Sequence, residues 1–264
     1  MLKLQNINKT FNEGTINEKK ALIDINLHLN PQDFVTVIGG NGAGKSTMLN
    51  MVAGVYPVDS GKITLADHLI TNLDEHKRAR WIGRVFQDPM RGTASDMMIE
   101  ENLAMANRRG DKRGFAWGIK NEEREEYKEL LKTLDLGLED RLSDKVGLLS
   151  GGQRQALTLL MATLKKPELL LLDEHTAALD PKTAAKVLKI TDKIIEKDNL
   201  TALMVTHNMR DAIKYGNRLI MMYEGHIIYD VSGDEKKNLE VKDLLEKFEM
   251  CSGGEFANDR MLLS

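Results

Sequence analysis

Gly39-Gly40-Asn41-Gly42-Ala43-Gly44-Lys45-Ser46 decides the fold. The stretch fits G-x-x-x-x-G-K-[ST], and its flanks have the required character. Before it, Phe34–Ile38 is a mostly apolar run of strand length. After it, STMLNMVA reads as a helix stopped by Gly54 and Pro57. Glycines let the backbone curl closely around phosphate oxygens. The loop N–H groups and the helix N-terminus add partial positive charge. Lys45 is expected to reach the β- and γ-phosphates of a nucleotide, with Ser46 on a Mg2+ that bridges the same oxygens. Thr47 closes the nucleotide-binding stretch. A glycine-rich turn before a surface helix is the plain alternative, and it leaves the register of strand, Lys and Ser unexplained.

Leu169-Leu170-Leu171-Leu172-Asp173-Glu174 is the second element. Four apolar residues make a strand buried on both faces. Two carboxylates follow at its C-terminal end, where open α/β sheets place ligands. On its own this is equally a buried strand ending in solvated acids. Paired with Lys45, Asp173 becomes the Mg2+ ligand and Glu174 the group that orients and deprotonates an attacking water.

Outward from these two elements, strands and helices alternate. Ile23, Ile25, Leu27 and Leu29 keep the period of a half-buried strand. Asp59-Ser60-Gly61 marks a turn before a strand at 62–65, and 81–86 reads as a further strand. Residues 96–149 are mainly helical, interrupted by a basic loop. Alternation resumes with a helix from Pro181, a strand at 200–206 and a helix to Tyr215. A hairpin then turns through Glu224-Gly225. The expected fold is an α/β phosphate-loop core with a mainly parallel sheet, an N-terminal antiparallel β subdomain and an inserted helical subdomain at about 88–149. One domain spans 1–233, and 234–264 reads as a charged extension ending in a mobile tail.

Composition sets the class. The chain has 264 residues, with 37 Lys+Arg against 40 Asp+Glu, a net charge of −3 that disfavours nucleic acid. A single cysteine, Cys251, cannot form an internal disulfide, which fits a reducing compartment. The first residues lack a signal-peptide core, and no apolar stretch approaches the ~18 residues of a spanning helix. A soluble, cytosolic protein is expected.

Leu149-Ser150-Gly151-Gly152-Gln153 narrows the class. Ser150 and Gln153 form a capping box, and the two glycines leave the helix start open to an anion that its own chain does not supply. Taken with the phosphate loop and Asp173-Glu174, this segment resembles the LSGGQ signature of the ATP-binding cassette family. The resemblance covers roughly residues 2–230. It implies ATP as ligand and Mg2+ as its metal, with Phe11 stacking on adenine. It implies that Gln87 touches the metal or the water and that His207 hydrogen-bonds the γ-phosphate. Asp180 is implied to join two active sites across a dimer. Ser150 and Gly152 are implied to hold the γ-phosphate of a second subunit, so that each ATP lies between two chains.

The same resemblance implies a transporter ATPase at the cytoplasmic face of the membrane. Separate permease chains would form the pore, a solute-binding protein would deliver cargo, and the cassette would form an ATP-dependent homodimer or pair with a second cassette. The segment 144–148 lacks the Glu common before the signature in exporters, which favours import. The DEHTAALDP version looks like importers that work with a solute-binding protein, amino acids among their cargo. Alternatives are an exporter ATPase, a soluble cassette ATPase on ribosomes or DNA, and a non-hydrolysing module. A single cassette without sustained heptads argues against the second, and Glu174, Gln87 and His207 argue against the last. In this family the segment after Gln87, here 88–98, docks a membrane-domain helix, and Met97 and Met98 would suit such an adaptable contact.

Two features stand apart. His175 follows Glu174 where most relatives carry proline, and it reads as a lineage variant without a catalytic role. Arg108, Arg109, Lys112 and Arg113 precede Phe115 and Trp117. An acidic helix follows them, so the segment reads as a solvated surface, with lipid or membrane-partner contact as the lesser reading.

Overall fold

The computed structural model describes residues 1–111 and 118–252. Two sheets carry the architecture. The first is antiparallel, built from β1 (Leu2–Phe11), β2 (Lys19–Leu29), β4 (Ser60–Leu65) and β5 (His68–Leu69) in the order β2-β1-β4-β5. The second holds β3 (Phe34–Gly39), β6 (Ile82–Val85), β7 (Leu169–Asp173), β8 (Ala202–Val205), β9 (Arg218–Tyr223) and β10 (His226–Ser232) in the order β10-β9-β3-β8-β7-β6. Within it only the β9–β10 pair is antiparallel. The helices are α1 (Lys45–Ala53), α2 (Glu75–Arg78), α3 (Ile99–Asn107), α4 (Asn121–Lys132), α5 (Gly151–Thr163), α6 (Pro181–Asp198), α7 (Met209–Lys214), α8 (Gly233–Lys237) and α9 (Val241–Ser252).

The central strands are continuous apolar runs because helices cover both faces of the sheet. Leu169 through Leu172 are fully buried, each contributing about 1.5–3 kcal/mol of apolar transfer. Alternate side chains serve different cores. Leu170 and Leu172 pack with α3, α4 and α5, whereas Leu169 and Leu171 pack with α1 and the antiparallel sheet. The helical segment read as a second lobe therefore shares one apolar cluster with the underside of the sheet, from Tyr127 and Leu131 through Leu157 to Met204.

One sequence expectation changes. Ser60 and Gly61 belong to strand β4 and not to a turn. Gly61 has φ +100°, and a Cβ there would sit 2.5 Å from the carbonyl oxygens of Gln5 and Asn6. The strand continues through a bulge that only glycine fits. The charged extension begins with two helices. α8 and α9 pack on β9 and β10, burying Leu244 and Phe248 against Met209, Leu219 and Val231. The remainder of the tail, 253–264, lies outside the described residues.

Topology gathers the functional ends. β3, β8 and β7 run parallel and adjacent, so their C-terminal ends share one edge of the sheet. Thr206 N donates to Val37 O at 3.1 Å and Glu174 N donates to Val205 O at 3.1 Å, which ties the three ends in register. The antiparallel sheet closes over that edge. Gly225 in the hairpin turn donates to Ala43 O of the phosphate loop at 3.1 Å and accepts from Ile23 N of β2 at 2.9 Å.

Candidate active site

The loop between β3 and α1 is built from backbone shapes that side chains resist. Gly42 and Gly44 have φ +78° and +101°. At Gly44 a Cβ would lie 2.5 Å from Ala21 O, because β2 passes directly over the loop. This glycine serves the contact between the two sheets as much as the curl around phosphate.

Lys45 is 5% exposed, and its ammonium donates to the carbonyl oxygens of Gly39 at 2.8 Å and Gly40 at 3.0 Å. Burial pulls its pKa below the usual lysine range, and the charges of Glu174 and Asp173 oppose that pull. Ser46 Oγ lies 3.4 Å from Asp173 Oδ1. Hydroxyl and carboxylate therefore face each other beside the loop.

Asp173 ends β7. Burial raises its pKa and Arg84 opposes the rise. The Arg84 guanidinium stands 3.7 Å from Asp173 Oδ2, donates to Asn50 Oδ1 at 2.5 Å, and lies 4.5 Å from the centre of the Phe86 ring. Glu174 takes a left-handed backbone with φ +46°. That reversal sends two successive side chains opposite ways. Glu174 enters the cleft, where its Oε1 is 2.6 Å from His207 Nε2. Burial alone would raise its pKa, but the His207 hydrogen bond and the charges of His207 and Lys45 hold it below the usual glutamate value. Glu174 is thus ionised at neutral pH, and His207 Nε2–H donates to it.

His175 goes the other way, into the core. It is 2% exposed, with Nε2 3.1 Å from Thr191 Oγ1 on α6. That hydroxyl donates to Val187 O at 2.9 Å, so the imidazole must be the donor in the pair. Burial lowers the His175 pKa to about 4. The ring is neutral and faces away from Glu174, in keeping with a role in packing.

A cleft of about 280 Å³ gathers Phe11, the loop residues Asn41 through Thr47, Glu174 and His207. Phe11 stands edge-on to Tyr56, their ring centres 5.3 Å apart. Lys19 and Ala21 of β2 also line the cleft. Neither had a signal in the sequence, since their approach depends on how the antiparallel sheet sits on the loop. Gln87, Ser150 and Asp180 do not line it. Gln87 is exposed just beyond β6. Asp180 caps α6, accepting from Thr183 N at 3.1 Å.

Ser150 caps α5 as the sequence predicts. Gln153 N donates to Ser150 Oγ at 3.3 Å and Ser150 N donates to Gln153 Oε1 at 3.1 Å. With those two N–H groups satisfied, Gly151 and Gly152 hold the helix-start donors that have no intrahelical partner. Gly152 has a second duty. A Cβ there would lie 2.1 Å from Thr183 Cγ2, so α5 meets the start of α6 at a distance that only glycine permits.

A groove of about 1170 Å³ separates β6 from the helical segment, lined by Arg84, Phe86, Arg91, Met105, Arg109 and Met161 among others. Of the two methionines singled out in the sequence, Met98 is 39% exposed and Met97 is half-buried, and neither lines the groove. In the basic loop, Arg108 is engaged with Glu123 at 3.0 Å and Arg109 with Ala162 O at 3.1 Å. These two arginines hold the helical segment together. Lys112, Arg113, Phe115 and Trp117 lie outside the described residues.

Known proteins resemble this chain over most of its length. Residues 22–177 match the family model described as ABC transporter. The chain is 44% identical over 249 residues to a tyrosine transport ATP-binding protein of Clostridioides difficile, covering 94% of this chain and 99% of that one. It is 34% identical over 213 residues to an aliphatic sulfonates import ATP-binding protein of Albidiferax ferrireducens, covering 80% and 69%. Among solved structures, a dimeric ATP-binding cassette in a post-hydrolysis state with ADP and Pi superposes with TM-score 0.75 and 31% identity, covering 88% of this chain and 98% of that one.

Proposed function

The chain belongs to the ABC transporter family, and from that premise we propose which of its residues hydrolyse ATP, and how, to drive solute import. The protein is an ATPase that powers import through separate membrane permeases. Among the described residues, no helix is long and apolar enough to cross a membrane. The observation that carries the catalytic reading is the meeting of Glu174, His207 and Lys45 in one cleft, with Glu174 held ionised and 2.6 Å from His207.

ATP enters with its base against Phe11 and its phosphates on the N–H groups of residues 39–47. Lys45 exchanges its two loop carbonyls for β- and γ-phosphate oxygens. Mg2+ fits the donor set beside the loop. Among the described residues, no group of three or more His, Cys, Asp or Glu side chains forms a cage. Ser46 and Asp173 supply one hydroxyl and one carboxylate, which suits a Mg2+ that retains phosphate and water ligands. Held by Ser46 and Asp173, Mg2+ would supply charge neutralisation for the phosphates. Glu174 orients the attacking water and takes its proton. His207 holds the Glu174 carboxylate in position and faces the γ-phosphate, while Gln87 reports that phosphate to the groove.

Ser150, Gly151 and Gly152 offer their free donors to the γ-phosphate on a second cassette, and Asp180 lies beside that contact. The groove lined by Phe86, Met105 and Met161 receives a permease helix. The cassette works at the cytoplasmic face of the membrane with a solute-binding protein, and an aromatic amino acid is the first cargo to test. Replacing Glu174 by Gln keeps the side-chain shape and removes the base. ATP hydrolysis should fall by about 10²–10⁴ while ATP binding persists. Steady-state turnover and a fluorescent-nucleotide titration on the same preparation decide it, and near-normal turnover would remove Glu174 from the role of base.

A further inference from the structure

Lys19 is the charged cleft residue that no motif announces. It opens β2, directly paired across the antiparallel ladder with Phe11, which closes β1. Paired residues share a face of a sheet. Lys19 therefore stands beside the aromatic ring, on the side that looks into the cleft. Its ammonium reaches the crest of the phosphate loop, 2.9 Å from the position a Cβ would take on Gly42. Two residues further along, Ala21 O is held against Gly44, so the strand that carries Lys19 is fixed to the loop.

The two lysines of the cleft differ in state. Lys45 is buried and doubly bonded to its own loop. Lys19 is exposed and, among the described residues, has no ion pair or side-chain hydrogen bond. A cation at that point meets the part of the polyphosphate between the base and the γ-phosphate. Resting on the ATP-binding reading above, we propose that Lys19 is a nucleotide-binding residue that pairs with the α- and β-phosphates, from the β-subdomain side of the cleft. Lys45 and Lys19 then grip the chain of phosphates from opposite sides, and nucleotide fastens the antiparallel sheet to the core.

The α- and β-phosphates are present in ATP and ADP alike, so the contact makes no distinction between the two. Lys19→Gln should weaken binding of both fluorescent ATP and fluorescent ADP by the same factor, about fivefold to twentyfold, as expected for one charge-assisted contact. Lys19→Arg keeps the charge and should retain affinity within about twofold, a difference well below one such contact. The affinity of Lys19→Gln for each nucleotide should also fall less steeply as salt rises, because one screened ion pair is gone. A merely structural lysine would leave that salt slope unchanged. Wild-type affinities in Lys19→Gln would overturn the proposal, as would a loss confined to ATP, which would put the contact on the γ-phosphate. If the unaltered protein bound neither nucleotide, the ATP-binding reading itself would fail.

Discussion

The left-handed turn at Glu174 assigns two neighbouring side chains to different tasks. Glu174 serves the cleft, and His175 anchors the segment after it to α6 through Thr191. A buried imidazole that must stay neutral makes stability depend on pH. In the unfolded chain His175 titrates near 6.5, whereas in the fold it does so at about 4. Between those values the unfolded state binds more protons, so stability rises with pH there. The contribution is complete above the unfolded value and is lost as pH falls to about 4, amounting to about 3 kcal/mol from the size of the shift. Replacing His175 by Asn removes the titrating group. The difference in unfolding free energy between wild type and His175→Asn, measured by urea at several pH values, should narrow as pH falls from 6.5 towards 4. A constant difference would show that the ring does not titrate in that window. The identity of His175 was readable from the sequence. Its partner was not, because Thr191 lies a helix away and only the packing of α6 brings them together.

Helix α5 shows how one element can serve packing and ligand binding with the same glycine. Gly152 leaves its N–H open at the helix start and lets Thr183 Cγ2 occupy the space a side chain would need. Gly152→Ala should destabilise the protein by about 1–3 kcal/mol, as overpacking does. Thr183→Ser removes the methyl in the way, so the double variant should recover much of that loss, and a double-mutant cycle by thermal or urea unfolding measures the coupling. Additive losses would mean the two residues do not compete for one space. The helix itself was legible because Ser150 and Gln153 announce its start. Other elements were not. β1 hides its alternation because Asn6 adopts φ +50° and the register with β2 and β4 shifts around it. Gly61 looked like a turn residue because glycine in a bulge and glycine in a turn read alike. α9 was masked by its charges, although Leu244 and Phe248, one helical turn apart, mark its buried face.

At the scale of the molecule, the proposed function has the phosphate loop and the opened start of α5 each take an anion, and only the loop would find one within its own chain. Two cassettes placed head to tail satisfy both needs twice. On that reading ATP carries the phosphate that would link them and ADP does not, so binding would favour closure and hydrolysis would reverse it. Glu174→Gln with ATP and Mg2+ should therefore elute as a dimer, returning to monomer with ADP. Adding Ser150→Arg should abolish the dimer and leave nucleotide binding largely intact. Light scattering after size exclusion reads the outcome, and a dimer indifferent to the Ser150 change would remove the signature from the interface. The order of strands, the phosphate loop and the paired carboxylates were legible in the chain. The seating of the antiparallel sheet on the loop was not, since it rests on contacts such as Gly225 with Ala43 that pair residues 182 apart.

The doubly bonded ammonium of Lys45 has a consequence for the company the protein keeps. A lysine bonded to Gly39 and Gly40 gives up two charge-assisted contacts before it can take an anion. On the function proposed above, a nucleotide would engage the ring of Phe11, the loop and Lys45 together, and release the lysine as part of a larger exchange. On that reading the loop favours ligands by the number of attachment points they bring, and a molecule that meets the cleft at one point alone gains little from it.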